Sequence, residues 1–225
     1  MLGLDPGGRT DRTRPNESMP RIFPTISQAG TAARPASIPC YVSGKGMHAT
    51  STTWDFKTLV IQAMESSGLG YDTRYRYYQP RFPHLSGEGL ARLICDPIEY
   101  YDADWPKWRQ EHATEADETR LVTRFMLERD NRFRDEAQVA IYCYDEAGFG
   151  SGVNTMRFLA AGKRVLGFHH EGSPGSGPLN LSNVMQLEID YPDLVTLNSY
   201  RDARDIPAMV IAWLLGIQAT DSPLA

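Results

Sequence analysis

The chain has 225 residues, 41% of them apolar and 23% charged, with a formal net charge of −5. That length fits one domain with a full core, and the acidic balance excludes a protein whose main task is gripping nucleic-acid phosphates. The longest apolar stretches, such as Met209 to Ile217, are too short to span a bilayer, and no charged start leads into an apolar signal core, so a soluble, cytoplasmic protein with no membrane partner is expected.

Residues 1–37 hold Gly7, Gly8 and prolines 6, 15, 20, 24 and 35 among many Ser, Thr and Arg residues. Such a composition buries too little surface to offset ordering entropy, which predicts a disordered segment. The alternatives are a secretion or targeting leader, or a true start at Met19. The domain is expected over 38–225. Ile38 to Gly44 reads as the first strand, followed by a loop over Lys45 to Thr53. Phe56, Leu59, Val60 and Ala63 recur at helical spacing, with Thr53 as N-cap and Gly68 as stop. Tyr71 to Gln79 reads as a second strand. The stretch from about 80 to 113 has weak periodicity and predicts short helices and a long loop, placed to fold over a pocket as a lid. A charged amphipathic helix then runs from Thr114 to Glu136, capped by Thr114 with Asp117, with Leu121, Val122, Phe125, Met126 and Phe133 inside.

Val139 to Tyr144 is an apolar run of strand length. It meets a turn with glycines at 148, 150 and 152, then a helix from about Gly152 to Ala161, then Gly162, Lys163 and a second apolar run to Phe168. This is a βαβ unit. Glycines where a strand gives way to a helix let backbone N–H groups approach a ligand closely. A loop over His169 to Pro178, a helix at Leu181 to Glu188, a strand at Leu194 to Leu197 and a helix at Ala203 to Leu215 complete the pattern. The order predicts an α/β doubly wound domain, Rossmann-like or flavodoxin-like, whose five-stranded parallel sheet is the middle of a three-layer sandwich.

Ligands of such sheets bind outside the carboxyl ends of the strands. The groups expected there are Tyr41, Ser43 and Gly44 after the first strand, Asp145 and Glu146 after the central one, and Gly148, Gly150, Ser151, Gly152 and Asn154 at the helix start. Oriented N–H groups with Asp, Asn and Ser side chains suit a phosphate or sugar hydroxyls. Asp145 and Glu146 read equally as solvated turn residues. No cofactor or metal is implied: His169 and His170 are adjacent, so they point in different directions, and no third ligand is placed nearby. Cys40 and Cys143 read as core filling. Tyr75, Tyr77 and Tyr78 interleaved with Arg74, Arg76 and Arg81 resemble a nucleic-acid surface, but strand alternation would bury half of them. Trp105 and Trp108 suit either base stacking or packing.

Arg129 to Asn131, the strand Val139 to Asp145, the loop Gly148 to Asn154 and the run Ala160 to Val165 together resemble the nucleoside 2-deoxyribosyltransferase family, whose superfamily includes nucleotide N-glycosidases. The likeness spans about residues 38–170 in outline. It implies a five-stranded parallel sheet, a homodimer or larger homo-oligomer, and a nucleoside, nucleotide or related ribosyl small molecule whose N-glycosidic bond is cut. Asp130, fifteen residues before Asp145, matches the aspartate that contacts the base and assists proton transfer. The family's nucleophilic glutamate stands nine residues before the lysine of the Gly-Lys pair, and here that position is Asn154. An amide forms no glycosyl ester. The resemblance thus implies Asp130, Asn154 and Asp145 as the residues to test for catalysis, with a binding or sensing module on the same fold as the alternative.

Overall fold

The computed structural model describes residues 37–44, 51–85, 89–90, 97–112, 114, 116–172 and 178–221. Residues 1–36 of the expected disordered segment, residues 45–50 of the expected first loop and part of the expected lid lie outside the described residues. In chain order the elements are β1 (Ile38–Ser43), α1 (Ser51–Ser67), β2 (Gly70–Asp72), α2 (Thr73–Tyr78), α3 (Pro97–Glu111), α4 (Glu118–Glu136), β3 (Val139–Cys143), α5 (Phe149–Ala160), β4 (Arg164–His170), α6 (Pro178–Asp190), β5 (Val195–Tyr200) and α7 (Ile206–Asp221). The strands form one sheet in the order β2-β1-β3-β4-β5, and each neighbouring pair is parallel. The fold is α/β and doubly wound, as expected.

Handedness assigns the layers. The connections from β2 to β3, β3 to β4 and β4 to β5 all move the same way across the sheet, so right-handed crossovers put α4, α5 and α6 on one face. The connection from β1 to β2 moves the other way, which sends α1 to the opposite face, where it packs with α7. Ring contacts agree: Phe158 of α5 meets Tyr41 at 6.0 Å between centroids, and Phe56 of α1 meets Phe168 edge-on at 5.5 Å. Both faces of the central strands are covered, which is why β3 is buried along its length. The reversal of direction falls between β1 and β3, and the crevice at their carboxyl ends is the ligand position of this fold class.

Several boundaries differ from the sequence expectations. The second strand does not run to Gln79. Asp72 accepts from the N–H groups of Arg74 (2.9 Å) and Tyr75 (3.1 Å), so it N-caps α2 and ends β2 after three residues. The tyrosines therefore follow a helical spacing, with Tyr75 and Tyr78 buried three apart. All three interleaved arginines lie over rings of the same chain, Arg74 over Tyr41 at 4.4 Å, Arg76 over Tyr71 at 4.0 Å and Arg81 over Tyr77 at 3.6 Å. α4 begins at Glu118 because Asp117, not Thr114, caps it, at 3.0 and 3.1 Å to Thr119 and Arg120. Its inner face is Leu121, Phe125 and Phe133, and Val122 is 38% exposed. Where short helices were expected, α3 is continuous over fifteen residues with Pro106 inside. Beside Pro106, Trp105 and Trp108 stack on each other at 5.8 Å, Trp105 meeting Phe125 edge-on and Trp108 tilting against it, which packs this helix on α4. α5 starts three residues early, at Phe149. β4 continues through His169 and His170, so neither belongs to the following loop, and β5 reaches Tyr200. α6 spans Pro178–Asp190, and α7 starts at Ile206 after a single 3₁₀ turn at Ala203–Asp205.

Two features outside the site hold it in place. Gly162, at φ +68°, ends α5 in the left-handed conformation with Lys163 N–H bonded back to Phe158 O at 2.9 Å. The Lys163 ammonium then caps the last turn of α4, donating to the carbonyls of Arg134 and Asp135 at 3.0 Å each. A Cβ at Gly167 would collide with the Tyr144 ring and Leu197, so glycine there lets Tyr144 lie against the sheet. No helix among the described residues is long and apolar enough to cross a membrane.

Candidate functional site

Side chains that alternate along β1 and β3 put Tyr41, Ser43, Ala140 and Tyr142 on the α4 and α5 face. Tyr41 is buried between two guanidiniums, with Arg74 at 4.4 Å and Arg134 at 5.3 Å from its ring centre. Arg74 is fixed by Asp72, at 3.0 Å, and also donates to Val42 O. Asp72 in turn accepts the Val42 N–H at 2.9 Å. This pair serves the edge of β1 where the short β2 has stopped. Arg134 is 6% exposed and holds groups of its own helix: Nη2 reaches Asp130 at 3.2 Å and Nη1 reaches Asn131 at 2.9 Å. Asp130 thus faces the Tyr41 cluster, its side chain 22% exposed.

The phenols of the cluster are held neutral. Burial pushes the Tyr41 hydroxyl up, and the Asp130 charge adds to that shift, against Arg74 and Arg134. Tyr142, wholly buried and stacked on Tyr144 at 5.6 Å, is pushed well above its ordinary range by burial, then by Tyr41 and Tyr144. Burial likewise raises Tyr144 to about 12. At neutral pH these groups are hydrogen-bonding phenols and not nucleophiles. Among the described residues Tyr142 Oη and Arg134 Nε are buried and have no hydrogen-bond partner.

Beside this cluster stands the start of α5. Gly148 is its N-cap and supplies no side-chain cap, while the N–H groups of Ser151 and Gly152 turn back to Gly148 O at 3.0 and 3.3 Å. The N–H groups of Phe149 and Gly150 are the ones a helix leaves without an internal partner, and they carry the positive end of its dipole. None of Gly148, Gly150 and Gly152 has a positive φ, and a Cβ at any of them would meet nothing within 4 Å. Neither backbone conformation nor packing requires glycine there. Ser151, Thr155 and Phe158 are buried on the inner side of α5, with Asn154 half-buried on the edge of that face. Tyr144 and Thr155 share a 3.0 Å hydrogen bond. Phe149 is 90% exposed at the tip.

Asp145, grouped with Asp130 and Asn154 by the sequence reading, turns to the other flank. Its carboxylate accepts from the His170 N–H and from Tyr200 Oη, each at 2.5 Å, and from Cys143 Sγ at 3.5 Å. It ties the β3 turn to β4 and β5, and the Tyr200 hydroxyl is raised by burial and then by this carboxylate. Glu146 accepts from Thr53 Oγ1 at 2.6 Å, so Thr53, the expected cap of α1, instead binds the β3 turn. Gly44 serves that junction: a Cβ on it would lie 2.9 Å from Thr53 Cγ2 and 3.2 Å from Cys143 Cβ. Cys40 and Cys143 are buried and reduced, and burial raises both thiols, Cys143 to about 12. The two histidines also separate. His170 accepts from the Gly172 N–H on Nδ1 at 2.9 Å and donates from Nε2 to Arg201 O at 3.0 Å, while His169 points to the opposite face.

The structure thus brings Tyr41, Asp130 and the start of α5 to the switch point and sends Asp145 and Gly44 to structural positions. Arg74, Arg134 and Tyr142 are the members that sequence reasoning missed. The spacing of Asp130 and Arg134, four apart on a helix, was the available signal for one of them. A concavity of about 690 Å³ opens at the opposite edge, lined by Gln138, Lys163, Arg164 and Asp193 among others. It lies at the amino ends of the strands, away from the fold's ligand position. No protein-family model matches the sequence, and no curated protein matches it.

Proposed function

We propose that the chain binds a nucleoside, a nucleotide or a related ribosyl compound in the crevice between β1 and β3, on the plan of the deoxyribosyltransferase-like superfamily. The observation that carries this reading is the cluster of Tyr41, Asp130 and Arg134 beside the glycine-rich, uncapped start of α5. Hydrogen-bonding phenols and a carboxylate suit sugar hydroxyls or a base edge, and the open helix start suits an anionic group. If the bound compound is cut, the Asp130 carboxylate takes a proton from water and passes it to the departing base as the C–N bond breaks, and the hydroxyl left from the water bonds to the anomeric carbon. Asn154 then only holds the ligand.

A second reading, a nucleotide-sensing module without catalysis, is favoured by Asn154 at the place of the family's glutamate. Purified protein is incubated with a panel of nucleosides, nucleoside monophosphates and NAD. Free base is followed by chromatography and binding by thermal shift. Base release would exclude the sensing module. Stabilisation without base release would exclude the enzyme, and no stabilisation by any member would count against both readings.

A further inference from the structure

The floor of the cluster has an unusual polar inventory. Tyr142 Oη is a neutral donor, and Arg134 Nε–H is a donor that cannot accept. Both are buried with no partner among the described residues, an arrangement that costs stability. Asp130, an acceptor, is bound to the same guanidinium at 3.2 Å and is the most exposed of the three. Both side-chain hydrogen bonds of Arg134 go to residues of its own helix. The guanidinium can therefore shift towards a ligand without breaking a side-chain hydrogen bond between elements.

Two donors and one carboxylate match a particular ligand group. Each hydroxyl of a vicinal diol accepts one hydrogen bond and donates another. One of the pair can donate to Asp130, while the 3-hydroxyl accepts from Arg134 Nε and the 2-hydroxyl from Tyr142 Oη, the deepest of the three. A 2-deoxy sugar lacks one of these oxygens and leaves a buried donor unpaired, which is the situation in which polar sites discriminate strongly. We propose that Asp130, Arg134 and Tyr142 form a diol-recognition set, so that the site takes ribosyl compounds in preference to their 2-deoxyribosyl counterparts. This rests on the nucleoside reading above and goes past it, since that reading leaves the 2-position of the sugar open.

The test measures affinity of the full chain by calorimetry for matched pairs: adenosine and 2′-deoxyadenosine, cytidine and 2′-deoxycytidine, and ribose 5-phosphate and 2-deoxyribose 5-phosphate. The ribo member is expected to bind about tenfold tighter or more. Tyr142→Phe should weaken the ribo member by about tenfold and leave the deoxy member unchanged. Arg134→Lys keeps the charge beside Asp130 without the Nε donor, and should weaken both members alike, since the hydroxyl it serves is present in both; the ribo-to-deoxy ratio of the unaltered chain remains the deciding measurement should the Tyr142 variant not fold. Equal affinities within the pairs, or a Tyr142→Phe effect shared by both members, would overturn the diol set while leaving the nucleoside reading intact. Binding of ribose 5-phosphate with the same selective loss, but of no nucleoside, would uphold the diol set and overturn the nucleoside reading. No binding by any probe would overturn both.

Discussion

On the α1 and α7 flank of the carboxyl edge, Asp145 accepts from Tyr200 and from the His170 N–H at 2.5 Å each; on the α4 and α5 flank, Tyr142 Oη and Arg134 Nε are buried without a partner. Each flank buries a tyrosine hydroxyl beside the strand ends, Tyr200 with a partner and Tyr142 without one. A paired buried group stabilises the fold modestly, and an unpaired one costs the full desolvation of that group. The difference separates a flank that fastens three strands together from one whose polar groups are available to a ligand. Local rules are violated most often where function requires it.

The sharpest way to break this contrast is to remove the same atom from each flank. Tyr200→Phe deprives the Asp145 carboxylate of a donor and should cost about 1.5–3 kcal/mol, the range for hydrogen bonds to charged groups. Tyr142→Phe removes an unpaired hydroxyl and keeps the ring that stacks on Tyr144 and packs against Phe158. Its stability should stay within about 0.5 kcal/mol of the parent or rise. Urea midpoints at pH 7 measure both. Equal losses would mean that Tyr142 has a partner and that the flanks do not differ.

A second test uses pH on the fastened flank alone. Burial holds the Cys143 thiol at about 12 against an ordinary 9.0. As pH rises from 9 towards 12 the unfolded thiol loses its proton while the folded one keeps it. The folded state then binds more protons, and stability must fall, by about 1.4 kcal/mol per pH unit for one such group. Below pH 9 the contribution is fully present. Cys143→Ala should be less steep than the parent by about that slope between pH 10 and 11, measured from urea midpoints at the two values. An identical slope would place the alkaline sensitivity on other buried groups, Tyr200 of the same flank among them.

The sheet was legible because its signals are periodic and local. Apolar runs at 38–43, 139–143 and 164–168, punctuated by Gly68 and Gly162, fix three of the five strands. β2 was misjudged because Asp72 looks like any polar strand residue until its carboxylate is seen to cap α2 and serve the edge of β1 at once. That role depends on Val42, thirty residues away. The site was half legible for the same reason. The glycine-rich turn and Asp130 announce themselves by spacing. The burial of Arg74 and Arg134 around Tyr41, and the turn of Asp145 to the far flank, arise from tertiary packing that no window of sequence contains.

The smallest expected effect bears on why the start of α5 is built of glycines at all. Ala exceeds Gly in helix stability by about 0.5–1 kcal/mol, and a Cβ at position 150 would meet nothing within 4 Å. Gly150→Ala should therefore raise stability by about that amount, seen as a higher urea midpoint. If the glycine exists so that a ligand can approach the helix N–H groups, the same Cβ must occupy the ligand's space, and affinity for the best nucleotide probe should fall by about tenfold. A gain in stability with unchanged affinity would move the ligand away from α5 and leave the Tyr41 and Tyr142 floor to hold it alone. A gain in stability with lost affinity would make the glycine a concession of the fold to its ligand, on the same flank that leaves Tyr142 unpaired.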